Sequence, residues 1–235
     1  MKHTFFIKDW LNSFLSLLFP HCCVVCGRPL AKGEECLCIM CNINLPRTNY
    51  HLRKDNPVER LFWGQIPLER ATSFFFYRKG SDFRQILHQL KYGGKKEVGI
   101  IMGRYMAAEL LDSGFFEGVD VIIPIPLHKK KQQIRGYNQS ECIVRGIAAV
   151  TGITVCVESV VRRKNTETQT RKSVFERWEN VDGIFELNHA DSLTGKHILI
   201  VDDVLTTGAT TIACASRLAE VEGTRTSVLT LAMAD

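Results

Sequence analysis

Apolar residues along the chain gather in five short runs: ATSFFFY (71–77), VDVIIPIP (119–126), ITVCV (153–157), HILIV (197–201) and TSVLTLAMA (226–234). Their apolar positions are mostly consecutive rather than alternating, the pattern of strands buried on both faces. Between the runs the period changes to that of a helix. In SDFRQILHQLKYGG, Ser81 is placed to cap, Phe83, Ile86, Leu87 and Leu90 share one face, and Gly93 and Gly94 stop the helix. A second helix is expected from about Lys96 to Asp112, with Val98, Ile101, Met102 and Tyr105 inward. A third ends at Gly152 in NQSECIVRGIAAVTG, and a fourth runs from about Gly208 to Val221. Strands alternating with helices predict an α/β fold, a parallel sheet with helices on both faces, with ligands bound beyond the carboxyl ends of the strands.

The first twenty residues differ from this pattern. Phe6, Trp10, Phe14, Leu17 and Leu18 fall on one helical face, while Asp9 and Asn12 interrupt the apolar run and no small-residue cleavage site follows. That predicts an amphipathic helix over 1–20 rather than a secretory signal. No stretch is long and apolar enough to span a bilayer.

Cysteine usage divides the chain further. Six of the nine cysteines (Cys22, Cys23, Cys26, Cys36, Cys38, Cys41) fall in one short segment, whereas Cys142, Cys156 and Cys214 are scattered among apolar residues. A disulfide scaffold spreads its bridges through a small domain, so this clustering argues for a bound metal in a reducing compartment, which points to the cytoplasm. Cys23-x-x-Cys26 and Cys38-x-x-Cys41 each place two thiolates on one ion, and together they close the shell of a structural Zn²⁺. With four thiolates, no position remains for a catalytic water. Gly27 suits the turn after the first pair, where positive φ is needed. Cys22 and Cys36 offer other pairings. The expected organisation is a helix over 1–20, a zinc-binding module over 21–46, a polar linker over 47–57, and one domain over 58–235. The formal net charge of +5 is modest; it favours polyanionic ligands without marking a dedicated nucleic-acid coat.

Chemistry is concentrated in HILIVDDVLTTGATT. The strand delivers Asp202 and Asp203 to its carboxyl end, at the mouth of the ligand crevice. Adjacent carboxylates repel each other and resist desolvation, so a sugar diol with a divalent cation would suit them better than a purely structural role. Thr206, Thr207, Gly208, Ala209 and Thr210 follow at a helix N-terminus, where free amides and the helix dipole favour a phosphate. Capping would account for one threonine, not for the whole combination.

These residues resemble the phosphoribosyl-pyrophosphate motif of type I phosphoribosyltransferases. The wider chain resembles the ComF family of competence-related proteins through FPHCCVVCGRPL, LCIMCNINLP, LKYGG (Lys91, Tyr92), PIPLHKKKQQIRGYNQS and RRKNTETQTRKSVFERWENV. Tyr137 stands where that family more often has phenylalanine, and the two additional cysteines also depart from its pattern. The resemblance implies a type I phosphoribosyltransferase-like sheet behind a zinc finger. Asp202 and Asp203 would hold ribose hydroxyls with Mg²⁺, and Thr206–Thr210 would hold the 5′-phosphate. Lys129, Lys130 and Arg135 would meet the remaining phosphates, in a cluster that also includes Lys131. It implies as partners single-stranded DNA and other DNA-uptake proteins, with a membrane-peripheral location through that machinery. Tyr137 offers a stacking face, Asn138 a helix cap, and Arg162, Arg163, Lys164, Arg171, Lys172 and Arg177 a basic segment containing Gln169 and Trp178. The sugar-phosphate side is complete, but no nucleobase pocket is identifiable. A binding role in DNA uptake and an active transferase both stay open.

Overall fold

A computed structural model of the chain describes residues 21–163 and 184–234. The amphipathic helix expected over 1–20 lies outside the described residues, as do Lys164, Gln169, Arg171, Lys172, Arg177 and Trp178. Seven strands form among the described residues: β1 (Arg70–Tyr77), β2 (Val121–Pro124), β3 (Thr154–Val155), β4 (Val160–Arg162), β5 (Phe185–Leu187), β6 (His197–Leu205) and β7 (Arg225–Ala234). The α-helices are α1 (Ile39–Ile43), α2 (Pro57–Arg60), α3 (Arg84–Tyr92), α4 (Lys96–Leu110), α5 (Lys129–Arg135), α6 (Gln139–Thr151) and α7 (Ala209–Leu218).

Five strands make one parallel sheet in the order β1-β7-β6-β2-β3. The run of buried residues His197–Val201 explains the central place of β6: Leu199 and Val201 enter the core cluster shared with α3, α4 and α6, whereas Ile198 and Ile200 enter the one shared with α7. Both faces are therefore covered, as the consecutive apolar residues require. From β2 the chain passes through α6 outward to β3, and from β6 through α7 to β7 on the other side. The direction of winding reverses between β2 and β6, and the crevice at a parallel sheet's carboxyl edge opens at such a reversal.

Several elements differ from expectation. β3 contains only two residues of ITVCV, and the second helix passes at Leu110 into a 3₁₀ turn over Leu111–Ser113. Its buried stripe includes Met106, Ala107 and Leu110, while Ile101 and Tyr105 are half-buried. The antiparallel pair β4–β5 and the helix α5 within the lysine segment have no clear hydrophobic period and were not foreseen. The crossing of α4 on α6 explains why glycines stand inside both helices. A Cβ at Gly146 would meet the Ile100 carbonyl oxygen at 2.0 Å, and one at Gly103 would meet the Ile143 oxygen at 2.1 Å. Glycine reads as a defect in a helical pattern, yet here it permits backbone contact.

The cysteine-rich segment packs on this same layer. Cys36, Leu37 and Leu45 join the α4 side of the core, and the Cys36 thiol lies 3.9 Å from the Met102 sulfur. Glu35 pairs with Arg104, and Glu109 with Arg47. The stretch expected as a linker over 47–57 is hydrogen-bonded along β1. The Thr48 amide donates to the Phe74 carbonyl at 3.0 Å, and the Phe76 amide donates to the Pro46 carbonyl at 2.8 Å. Asn56 then closes a capping box with Glu59 at the start of α2. This cover satisfies part of an edge strand that would otherwise present bare backbone groups.

Candidate functional site

Asp202 and Asp203 stand within β6, because the strand runs on to Leu205 after its pairing with β2 ends at Val201. They therefore look into the space that β2 leaves beside the still-paired β7. Asp202 Oδ1 accepts from the Ser140 hydroxyl at 3.0 Å and from the Asp203 amide at 2.8 Å. Asp203 Oδ2 meets the Lys91 ammonium at 3.1 Å. Burial, and then the neighbouring Asp203 charge, push the Asp202 carboxyl up to about 7. Hard carboxylate oxygens in a partly enclosed crevice are suitable donors for a divalent cation such as Mg²⁺.

The loop after β6 closes a small polar pocket of about 40 Å³ lined by Asp202, Thr206, Thr207, Gly208, Ala209, Thr210 and Thr211, among others. Gly208 takes a φ of +76°, and a Cβ there would press on the Phe62 ring at 3.3 Å, so the turn needs glycine on both counts. The first intrahelical bond of α7 runs from the Ile212 amide to the Gly208 carbonyl at 2.8 Å. The amides of Ala209, Thr210 and Thr211 precede it and suit an anion. A larger cavity of about 300 Å³, lined in part by Phe62, Trp63 and Arg70, shares no residue with this pocket and mixes acids with bases.

The cations are arranged differently from expectation. Lys129 and Lys130 sit exposed on α5, whereas Lys131 is half-buried. Burial, followed by the positive charges of Arg162, Arg135 and Lys91, lowers the Lys131 pKa, so these four side chains converge. Arg162 in turn feels the Asp202 charge. Arg135 reaches this cluster braced by Gln139, whose side-chain oxygen it approaches at 2.7 Å, with its guanidinium 5.4 Å from the centre of the Tyr92 ring. Arg163 instead pairs with Glu186 at 2.6 Å. Asn138 caps α6 by accepting from the Ser140 amide and donates to the Ile125 carbonyl, which ties the helix to the loop after β2. Tyr137 is not a stacking face: it is 7% exposed, and its hydroxyl is spent on the Leu90 carbonyl. Tyr92 is the exposed aromatic there, at 69%.

Lys91, Ser140 and Arg162 thus belong around the acid pair although sequence reasoning gave them no separate roles. Ser140 carried a faint signal, since a helix N-terminus follows the lysine segment. Lys91 carried none beyond its place in LKYGG, because nothing local links residue 91 to residue 203.

The Sγ atoms of Cys23, Cys26, Cys38 and Cys41 all lie within 4.8 Å of one another, with Cys26 and Cys38 at 3.7 Å. Metal–sulfur bonds of ~2.3 Å at tetrahedral angles put sulfurs about 3.8 Å apart, so the donor set fits Zn²⁺. Burial opposes ionisation of Cys23, but the amides of Cys26, Cys38 and Val25 bring its thiol down to about 7. Gly27 takes the positive φ expected of it, +72°. Cys36 points into the core, where burial raises its thiol to about 12, and Cys22 is exposed outside the cluster.

The phosphoribosyl transferase domain family matches residues 140–234. The DNA utilization protein YhgH of Escherichia coli K12 is 29% identical over 217 residues, covering 86% of this chain and 92% of that protein. Competence protein ComFC of Bacillus subtilis is 25% identical over 199 residues, covering 85% of this chain and 72% of that protein. Competence protein F of Haemophilus influenzae is 34% identical over 92 residues, 39% of this chain and 40% of that protein.

The Asp202 environment has a measurable consequence for stability. Its folded-state pKa stands above the roughly 3.9 of an unfolded chain. The carboxyl therefore favours folding fully below about pH 4, and that contribution is lost as pH rises through 7. Asn in its place keeps an oxygen for both donors. Without ligand, Asp202→Asn should be more stable than the wild type at pH 8 by on the order of 4 kcal/mol and nearly equal to it at pH 4. Guanidinium unfolding at the two pH values measures the difference, and a gap independent of pH would contradict this account.

Proposed function

The chain belongs to the ComF family of type I phosphoribosyltransferase-like proteins, and on that premise we propose that it binds phosphoribosyl pyrophosphate, or a closely related sugar phosphate, in the crevice between β2 and β6. The observation that carries this reading is the acid pair beside a small polar turn, with Lys91 on Asp203 and further positive charges close to Lys91. Ribose hydroxyls donate to Asp202 and Asp203. The 5′-phosphate takes the amides of Ala209, Thr210 and Thr211 and the hydroxyls of Thr206, Thr207 and Thr210. Lys91, Lys131, Arg135 and Arg162 face the pyrophosphate, with Lys129 and Lys130 adding positive potential from the rim. The acid pair would also hold Mg²⁺, which when bound neutralises charge on the pyrophosphate. Calorimetry of the full chain with phosphoribosyl pyrophosphate and Mg²⁺ should give binding that is lost in Asp202→Ala/Asp203→Ala. Equal binding by the variant would sink the assignment.

An active transferase is the second reading, favoured by the placement of Lys131, Arg135 and Arg162. Cations fixed where pyrophosphate departs stabilise charge that develops at the anomeric C–O bond as it breaks. Pyrophosphate release with a panel of bases and amines separates turnover from binding alone.

Cys23, Cys26, Cys38 and Cys41 hold a structural Zn²⁺ that stabilises the segment against α4. Elemental analysis should find about one zinc per chain, as one four-thiolate site requires. Full retention of zinc in Cys23→Ser/Cys41→Ser would refute the ligand set.

The names of the competence and DNA-utilization relatives support a role in uptake or handling of single-stranded DNA. The exposed Lys129 and Lys130, with Tyr92 and with Ile134 at 84% exposure, make a basic and partly apolar surface for it. Lys129→Glu/Lys130→Glu should weaken binding of a labelled oligothymidylate, read by fluorescence anisotropy, about tenfold at low salt. Unchanged affinity would remove this surface from the path.

A further inference from the structure

The two carboxylates of the acid pair are compensated in different ways. Asp202 is held by neutral donors, the Ser140 hydroxyl at 3.0 Å and the Asp203 amide at 2.8 Å. Asp203 is held by a charge, the Lys91 ammonium at 3.1 Å, with side-chain exposures of only 23% for the lysine and 14% for the aspartate. A pair so shielded attracts more strongly than one in open water. Lys91 is also one of the charges that disfavour the Lys131 ammonium, together with Arg162 and Arg135. Its ammonium is therefore attracted by Asp203 and repelled by the Lys131 ammonium of the cationic rim. A phosphate entering that rim reverses the repulsion. Lys91 can respond, because it lies in the last turn of α3 on a flexible four-carbon stem, and the helix ends at Gly93 with Gly94 following in the left-handed region.

We propose that Lys91 is a built-in counter-ion for Asp203 that yields to the ligand: with no ligand bound it occupies the carboxylate and opposes a divalent cation, and the ligand's pyrophosphate draws it away. This positioning role rests on the sugar-phosphate reading of the crevice. Its consequence is a linkage: the anion opens Asp203 to the cation, and the cation frees Lys91 for the anion, each helping the other by the same factor. A cation alone and a bare pyrophosphate alone both bind less well than the two together. The acid pair is thereby protected from filling with a free divalent ion before the sugar phosphate arrives.

The test uses two probes separately on the zinc-loaded full chain: Mn²⁺ alone, followed by the paramagnetic resonance of the free ion, and inorganic pyrophosphate alone, followed by calorimetry. Lys91→Met should shift them in opposite directions, tightening Mn²⁺ on the order of tenfold and weakening pyrophosphate by a similar factor, within the usual range of coupling between sites. Lys91→Arg, which keeps the charge, should leave Mn²⁺ binding near that of the wild type, and Asp203→Asn should remove the Mn²⁺ gain when combined with Lys91→Met. A merely structural lysine would move both affinities the same way or neither, and either result overturns the proposal, as would unchanged Mn²⁺ binding in Lys91→Met. Failure here is distinguishable from failure of the reading beneath it. A wild type that binds phosphoribosyl pyrophosphate while Lys91→Met shows no opposed shifts removes only the counter-ion role, and a wild type that binds none removes the sugar-phosphate reading.

Discussion

Asp202 and Asp203 repel each other at the one point in the sheet where a parallel fold leaves an open crevice, and the surrounding elements are arranged to answer that repulsion. Ser140 from α6, Lys91 from α3 and the backbone of β6 itself each take a share of the two carboxylates. Burial still holds the Asp202 carboxyl near 7. A chain selected for stability alone would not retain such a pair, because like charges withdrawn from water cost more than hydrogen bonds to them return. The proposed sugar-phosphate role would account for it, since a site that receives hydroxyl groups and a cation can hold such a pair at some expense to the ligand-free protein.

The rest of the fold holds these groups at fixed separations. Lys91, Ser140 and Asp202 come from three segments far apart in the chain, and what aligns them is the packing of α3, α4 and α6 on one face of the sheet. Glycines at 103 and 146 let α4 and α6 approach until backbone meets backbone, which leaves little freedom for α6 to shift Ser140 away from the acid pair. The cysteine-rich segment is placed on the outer side of α4 through Cys36, Leu37 and Leu45. It thickens the layer on which the crevice depends. Residues 46–48, bonded to the edge of β1, close the opposite margin of the same sheet.

Charge divides along the same lines. Lys131, Arg135 and Arg162 are half-buried, and Arg135 is braced by Gln139, whereas Lys129 and Lys130 remain in solvent. A braced cation loses little entropy when it meets a phosphate and gives direction, while a solvated one contributes mainly long-range attraction. The lysine segment thus offers two environments within three residues.

By itself the sequence determined the five strands of the parallel sheet, most of the helices, the four clustered thiols and the composition of the acid-and-threonine turn. These depend on local periodicity, on ligand spacing within a short segment and on contiguous residues, all of which are legible without knowing what lies across the fold. Only the tertiary structure decided which of three consecutive lysines faces inward, that Tyr137 is core while Tyr92 is surface, that residues 47–57 lie bonded to β1, and that Lys91 meets Asp203. A helix of seven residues with no apolar face gives no sequence signal of its orientation, and tyrosine's apolar ring and polar hydroxyl suit core and rim equally. An ion pair spanning 112 positions, from 91 to 203, is set by the close packing of helices on the sheet, and no local pattern encodes that distance.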